Sequence, residues 1–333
     1  MPASEGYLTT PGGVRLFYQV IGNGPNIVVF PNGIYLRDDF QRLTEGRTLI
    51  FYDLRNRGRS DAVTEPENRK AGILNDVEDL EALRRRFGLH QIDLLGHSYV
   101  GLTVILYARQ YGAHVNRIVQ LSPIEPYPGK QYPANLKWSD DVMREAFAKL
   151  GQLQREPAAE DQQEICQKFW SILRAIYVFD PAYALKINWG RCELPNERGF
   201  MKYWSEDLFP SIQALRITSE QVSTVSCPVL TIHGTKDRSA AYGGARDWAM
   251  LLPNARLVTL ENVAHAPWIE ATSEVFDAIH TFLQGAWPDS AEIVQSPPAC
   301  RPAAPTPSTS IVSVAPKDAS PLAPRCIFPT SAV

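Results

Sequence analysis

The sequence predicts an α/β fold: a mostly parallel sheet of eight strands with helices on both faces and a helical insertion after the sixth strand. Three observations point to it. Short runs that are apolar on both faces alternate with segments of helical periodicity, as expected for a parallel sheet covered on both sides. From about residue 125 to 222 that alternation stops and the pattern becomes helical and rich in aromatics. Finally, the apolar run 92–95 passes through Gly96-His97-Ser98-Tyr99 directly into an apolar helix, a strand–turn–helix junction with a serine at its tip.

Taken in order, residues 7–10 and 14–21 flank Pro11-Gly12-Gly13 and read as a hairpin. Residues 26–30 form a buried strand that ends in Pro31-Asn32-Gly33-Ile34. A second buried strand, 48–52, leads into Asp53-Leu54-Arg55-Asn56-Arg57-Gly58-Arg59-Ser60, whose three arginines read as mostly solvated. Ile73, Val77, Leu80, Leu83 and Phe87 recur at helical spacing. Arg84, Arg85 and Arg86 close that helix, where positive charge suits the dipole without any ligand. Strand 92–95, helix 102–108 and strand 115–121 follow. The stretch 125–222 carries Trp138, Phe169, Trp170, Tyr177, Phe179, Trp189, Tyr203, Trp204 and Phe209. Most of these should hold the insertion together, with roughly a quarter lining a pocket. The sheet resumes at 228–233, followed by helix 241–252, strand 255–260, loop 261–265 and a last helix 273–284. Beyond Gly285, Pro, Ala, Ser and Thr dominate, and such a composition buries too little apolar surface to offset ordering entropy. The expected organisation is a core of 1–124 and 223–285, a helical cap of 125–222, and a disordered tail of 286–333.

Composition excludes several classes. The 333 residues carry a formal charge of −3, which invites neither nucleic acid nor an anionic membrane surface. No basic segment followed by an apolar run marks a signal peptide, and no apolar stretch reaches bilayer length. Cys166, Cys192, Cys227, Cys300 and Cys326 are odd in number and lack C-x-x-C spacing, so reduced thiols in a cytoplasmic protein are expected. There is no His-Glu-x-x-His, no Cys/His cluster and no phosphate-binding Gly-x-x-x-x-Gly-Lys, so no metal or other cofactor is expected.

Four motifs remain: Gly96-His97-Ser98-Tyr99-Val100-Gly101, Asp53-x-Arg55-x-x-Gly58-x-Ser60, His233-Gly234-x-x-Asp237, and His265-x-Pro267-x-x-Glu270. On these the chain resembles the capped serine hydrolases of the α/β-hydrolase fold, the group that includes proline iminopeptidases, esterases and lactonases, over about residues 6–285. The order nucleophile, acid, histidine is that fold's order. Ser98 and Asp237 lie 139 positions apart and Asp237 and His265 lie 28 apart, so only the first interval has room for the cap.

The chemistry follows from residue type. A serine hydroxyl needs a base within hydrogen-bond reach. His265, alone in a loop after the last strand, is the expected base, and Asp237 would fix its tautomer. Glu125 is a weaker candidate for the acid, and Asp247, inside a helix, reads as a solvated charge. His97 and His233 read as buried hydrogen-bonding residues, and His90, His114 and His280 as surface ones. The resemblance implies an oxyanion hole made by the N–H groups of Ile34 and Tyr99. Asn32 stands where the family usually has histidine, and its side chain is expected to bond the loop backbone instead. Val100 stands where glycine is usual, with Gly101 relieving the crowding. A serine nucleophile argues against haloalkane dehalogenases and epoxide hydrolases, which use an aspartate on this fold. The expected partner is a hydrophobic small molecule, hydrolysed as an ester, thioester or lactone through an acyl-enzyme. The alternatives are an aminopeptidase, for which Glu193, Glu197, Glu206 and Asp207 could hold an α-amino group, or a non-hydrolytic acyltransferase, lyase, cyclase or ligand receptor.

Overall fold

Eight strands form one sheet in the order β1-β2-β4-β3-β5-β6-β7-β8. The structure is a computed structural model and describes residues 4–65, 69, 71–153 and 162–295. β1 (Ser4–Thr9) and β2 (Arg15–Gly22) make the expected hairpin, and β2 runs antiparallel to both of its neighbours. The other pairings, among β3 (Asn26–Pro31), β4 (Arg47–Tyr52), β5 (Ile92–His97), β6 (Val115–Leu121), β7 (Val229–Gly234) and β8 (Ala255–Leu260), are all parallel. β4, β5 and β7 are buried at every position, which is why their sequences are continuous apolar runs rather than alternating ones.

Helices cover both faces. α1 (Gly33–Phe40) follows β3, α2 (Ile73–Arg86) precedes β5, and α3 (Tyr99–Tyr111) leaves the end of β5. Residues Tyr99 to Ala108 of α3 are all buried, so this helix is apolar around its whole circumference and sits inside the core. α2 packs beside it, with the Tyr107 hydroxyl donating to Glu81 at 2.9 Å. Between β6 and β7 the chain forms α4 (Asp141–Leu153), α5 (Gln162–Tyr177), α6 (Pro195–Tyr203), α7 (Phe209–Ala214) and α8 (Ser219–Val222), and one π turn joins α6 to α7. After β7 come α9 (Tyr242–Leu251), then β8, α10 (Pro267–Glu270) and α11 (Thr272–Leu283).

Three expectations are corrected. Residues 286–295 pack on the core: Trp287 lies against Phe282 with ring centroids 5.0 Å apart, and Leu257 and Glu292 exchange two backbone hydrogen bonds of 2.9 Å. The rest of the expected tail, 296–333, lies outside the described residues. Cys166 and Cys192 form a disulfide joining α5 to the segment before α6, while Cys227 is free. A local composition rule could not foresee that pairing, because the two residues meet only once the insertion has folded. The cytoplasmic expectation leaned on free thiols, and the disulfide removes that support. No helix among the described residues is long and apolar enough to cross a membrane. Finally, Asp247 is buried rather than solvated, and it accepts hydrogen bonds from Lys130 at 2.5 Å and Tyr132 at 2.7 Å.

Candidate active site

The junction of β5 and α3 places Ser98 at φ 59°, ψ −128°, a backbone region that L-residues rarely occupy. Such a conformation costs about 1–3 kcal/mol and persists only where its surroundings impose it. Here the Ser98 N–H donates to the Leu121 carbonyl at 3.0 Å, and the Ser98 carbonyl accepts from Gly101 at 3.0 Å and Ile124 at 3.3 Å. The turn is too tight for a side chain at Gly96, where a Cβ would lie 2.5 Å from the Val100 carbonyl oxygen. Gly101 packs on Pro123, where a Cβ would lie 2.9 Å from the proline Cβ, and Val100 is accommodated beside it at 1 % exposure. Ser98 is the N-cap of α3, so the Tyr99 N–H has no acceptor within its own helix.

The loops after β7 and β8 bring Asp237 and His265 together. His265 Nδ1 donates to Asp237 Oδ2 at 2.8 Å, and both side chains are buried. A carboxylate can only accept here, which puts the proton on Nδ1 and leaves Nε2 as the basic nitrogen. Asp237 also accepts from His233 Nε2 at 3.2 Å and from the N–H groups of Ser239 and Ala240 at 2.7 and 2.9 Å. Burial pushes its pKa up, but the His265 charge and the two histidine hydrogen bonds outweigh it and hold the carboxyl well below the usual range. His97 donates through Nε2 to the His265 carbonyl at 2.9 Å. Burial and the neighbouring His265 depress the His97 pKa, so His97 braces this loop as a neutral ring. Among the described residues no hydrogen bond joins Ser98 to His265; contacts of this kind often tighten only around substrate. Glu125, the alternative acid, lies against Gly244, and the His265 Nδ1 proton goes to Asp237.

The facing wall is built by α1 and the Asp53–Ser60 loop. Asn32 takes a left-handed conformation, φ 68°, which asparagine tolerates. Its carbonyl accepts from Tyr35 N–H at 3.2 Å, but its side-chain oxygen is buried without a partner, contrary to the bracing role expected of it. The arginines of the next loop are not solvated either. Arg55 pairs with Asp79 at 2.6 Å, Arg57 with Glu197 of α6 at 3.1 Å, and Arg59 with Asp53 at 2.8 Å. Of these, Arg57 and Glu197 are essentially fully buried. Glu197 also accepts from the Gly58 N–H at 2.8 Å and from the Tyr35 hydroxyl.

Over Ser98 lies a cavity of about 480 Å³. Six of the nine insertion aromatics named above line it (Phe169, Trp170, Tyr177, Trp189, Trp204 and Phe209), far more than the quarter expected, and Phe147 and Phe200 join them. Asn32, Tyr35, His97, Ser98 and Tyr99 form its floor, and Phe147 at its rim is 57 % exposed. No aspartate or glutamate lines it among the described residues. The four acids considered for an α-amino group are engaged elsewhere: Glu193 with Arg191, Glu206 and Asp207 with Arg69, and Glu197 with Arg57. Among the described residues no cluster of His, Cys, Asp and Glu could hold a metal ion.

Sequence reasoning missed Tyr35, its hydrogen bond from Trp189 and the Arg57–Glu197 pair. Arg57 was visible inside its motif, but its partner lies 140 positions away and nothing local marks it. Glu270 was visible as the end of the histidine motif, and the structure gives its task. Its carboxylate accepts from Ala264 at 2.8 Å and from Phe179 and Asp180 of the insertion at 2.8 and 3.0 Å, tying the His265 loop to the cap.

A strained serine elbow, a hydrogen-bonded Asp–His pair from the two following strand ends and a 1-2-4-3-5-6-7-8 sheet with an inserted cap together define an α/β hydrolase. A family model described as alpha/beta hydrolase fold matches residues 22–272, and the chain belongs to that family. It is 24% identical to a proline iminopeptidase of Heyndrickxia coagulans over 84% of this chain and 98% of that one. It is 38% identical to a proline iminopeptidase of Thermoplasma volcanium, over only 22% of this chain and 25% of that one. Among solved structures, an esterase from Exiguobacterium antarcticum superposes with a TM-score of 0.63 at 14% identity, covering 85% of this chain and 100% of that one.

Proposed function

We propose that this protein is a serine hydrolase that cleaves a small apolar ester, thioester or lactone through an acyl-enzyme. Ser98 attacks the carbonyl carbon while His265 Nε2 takes the hydroxyl proton. Asp237 fixes the tautomer and stabilises the imidazolium. The N–H groups of Ile34 and Tyr99 receive the oxyanion. His265 then returns the proton to the leaving group, and a water deacylates Ser98 by the same steps in reverse roles. The observation that carries this reading is Ser98 at a strained elbow on the floor of an aromatic cavity without carboxylates, with the Asp237–His265 pair on the adjoining loops.

A second reading, an aminopeptidase, draws support from the names of the relatives. It requires a carboxylate to meet the substrate ammonium, and the lining of this cavity favours the ester. The test is fluorophosphonate labelling of wild type, Ser98→Ala and His265→Ala, followed by p-nitrophenyl butyrate and proline p-nitroanilide. Labelling lost in both variants with turnover of the butyrate is the expected result. Turnover of the anilide alone would establish the second reading, and folded wild type that stays unlabelled would overturn both.

A further inference from the structure

The N-terminal turn of α1 carries one proposed oxyanion donor, yet its own N-cap side chain does not support it: Asn32 makes no side-chain cap bond and its Oδ1 is an orphan. What fixes this turn comes from elsewhere. Tyr35, one residue after Ile34, is gripped by the insertion and by Arg57 of the core. Its carbonyl accepts from the Trp189 indole at 2.9 Å, and its hydroxyl donates to Glu197. Its ring sits 5.0 Å from that of Trp170 and 5.2 Å from that of Trp189. Arg57, locked to Glu197 by two hydrogen bonds, covers the same ring at 4.7 Å. The gripping segment, residues 189–197, is itself pinned. The Cys166–Cys192 disulfide ties it to α5, and Gly190 lies so close to Trp170 that a Cβ would come within 2.6 Å of the indole.

We propose that Tyr35 and Glu197 are positioning residues for the oxyanion hole, so that the Ile34 donor is aligned only when the disulfide-pinned segment 189–197 is seated on Tyr35. This rests on the hydrolase reading above. Oxyanion stabilisation depends on donors aligned before charge develops, and a displacement of about 1 Å costs much of the rate. Seating of the cap therefore both encloses the substrate and completes the electrostatic site.

The test uses the full chain as wild type, Tyr35→Phe and Cys192→Ser, with p-nitrophenyl butyrate as substrate. Active sites are titrated with a fluorophosphonate, and a trifluoromethyl ketone, whose adduct carries an oxyanion, serves as inhibitor. Per titrated site, Tyr35→Phe should lower kcat about tenfold with KM within about twofold, and weaken the ketone by the same factor. Cys192→Ser should move kcat and ketone affinity together in the same direction, by about threefold or more. Unchanged kcat and ketone affinity per titrated site in both variants, whatever happens to Tm, would overturn the proposal and leave the grip as a device for stability alone. Wild type that labels and turns over confirms that the hydrolase reading is not what failed; unlabelled wild type overturns that reading and this inference with it.

Discussion

Of the carboxylates that join the cap to the core, Glu270 and Glu197 work in opposite senses. Glu270 belongs to the core and reaches out to cap main chain, accepting from Phe179 and Asp180 while also holding Ala264 beside His265. It is partly exposed, and burial raises its pKa against the pull of those three N–H groups. Glu197 belongs to the cap and reaches into the core, where Arg57, Gly58 and Tyr35 converge on it in full burial. The Asp237–His265 side of the site thus lends a carboxylate to the cap, whereas the wall carrying Ile34 and Tyr35 borrows one from it. Asp237 and His265 stand on strand ends but also touch the cap, where Ala266 donates to the Tyr177 carbonyl at 2.9 Å and Arg238 to the Val178 carbonyl at 2.5 Å; the opposite wall meets the cap through a fully buried charge.

The sharpest break is at the acid. Asp237→Asn should lower kcat by about 10³–10⁴-fold through the wrong histidine tautomer, measured per folded molecule with p-nitrophenyl butyrate. The latches come next. Arg57→Ala leaves a buried carboxylate without its counter-charge and should destabilise by about 3–5 kcal/mol, read from the urea midpoint. Glu270→Gln keeps shape but replaces one accepting oxygen with an NH2 that faces a main-chain N–H, so about 1–3 kcal/mol is expected by the same measurement. If Glu270→Gln costs as much as Arg57→Ala, the asymmetry between the latches is wrong.

A pH scan sharpens the same contrast. Asp237 sits well below the usual carboxylate range and stays ionised from about pH 4 upward, so it adds no limb to the activity profile there. Asp93, five residues before Ser98 on β5, behaves oppositely: burial, against a 2.7 Å hydrogen bond from Asn116, raises its pKa to about 6. An unfolded aspartate ionises near pH 3.9, so the fold binds the extra proton between about pH 4 and 6. Asp93 therefore contributes a loss of about 2–3 kcal/mol of stability as pH rises through that window. Asp93→Asn should remove that share of the pH slope in thermal melts without changing kcat per titrated site, while Asp76, raised to about 8 by burial, keeps its own.

Much of the core was legible because its signals are local. Strand β5, the glycines of the elbow and the helix behind it are contiguous, and the steric demand on Gly96 comes from Val100 and Gly101, within five residues. The order of Ser98, Asp237 and His265 needed only the recurrence of strand ends. The cap resisted for the converse reason. Its aromatics pack on one another and line a cavity at once, and helical spacing alone does not say which face looks inward. Arg57 and Glu197 read as surface charges because charge normally means solvent; burial became tolerable only through each other. Asn32 was assigned a bond it does not make because its backbone angle, which does the positioning, leaves no mark on composition.

The short pairing of Leu257 with Glu292 has a practical consequence for anyone shortening the chain. β8 is the last strand of an open sheet, and its outer row of N–H and C=O groups is the natural template for a second molecule to add a strand. The stretch that follows α11 folds back antiparallel over part of that row and buries Ala291 and Val294 on the way. A polypeptide stopped at Gly285, where composition alone would place the cut, strips that shield and should self-associate on concentration; one stopped after Gln295 keeps it.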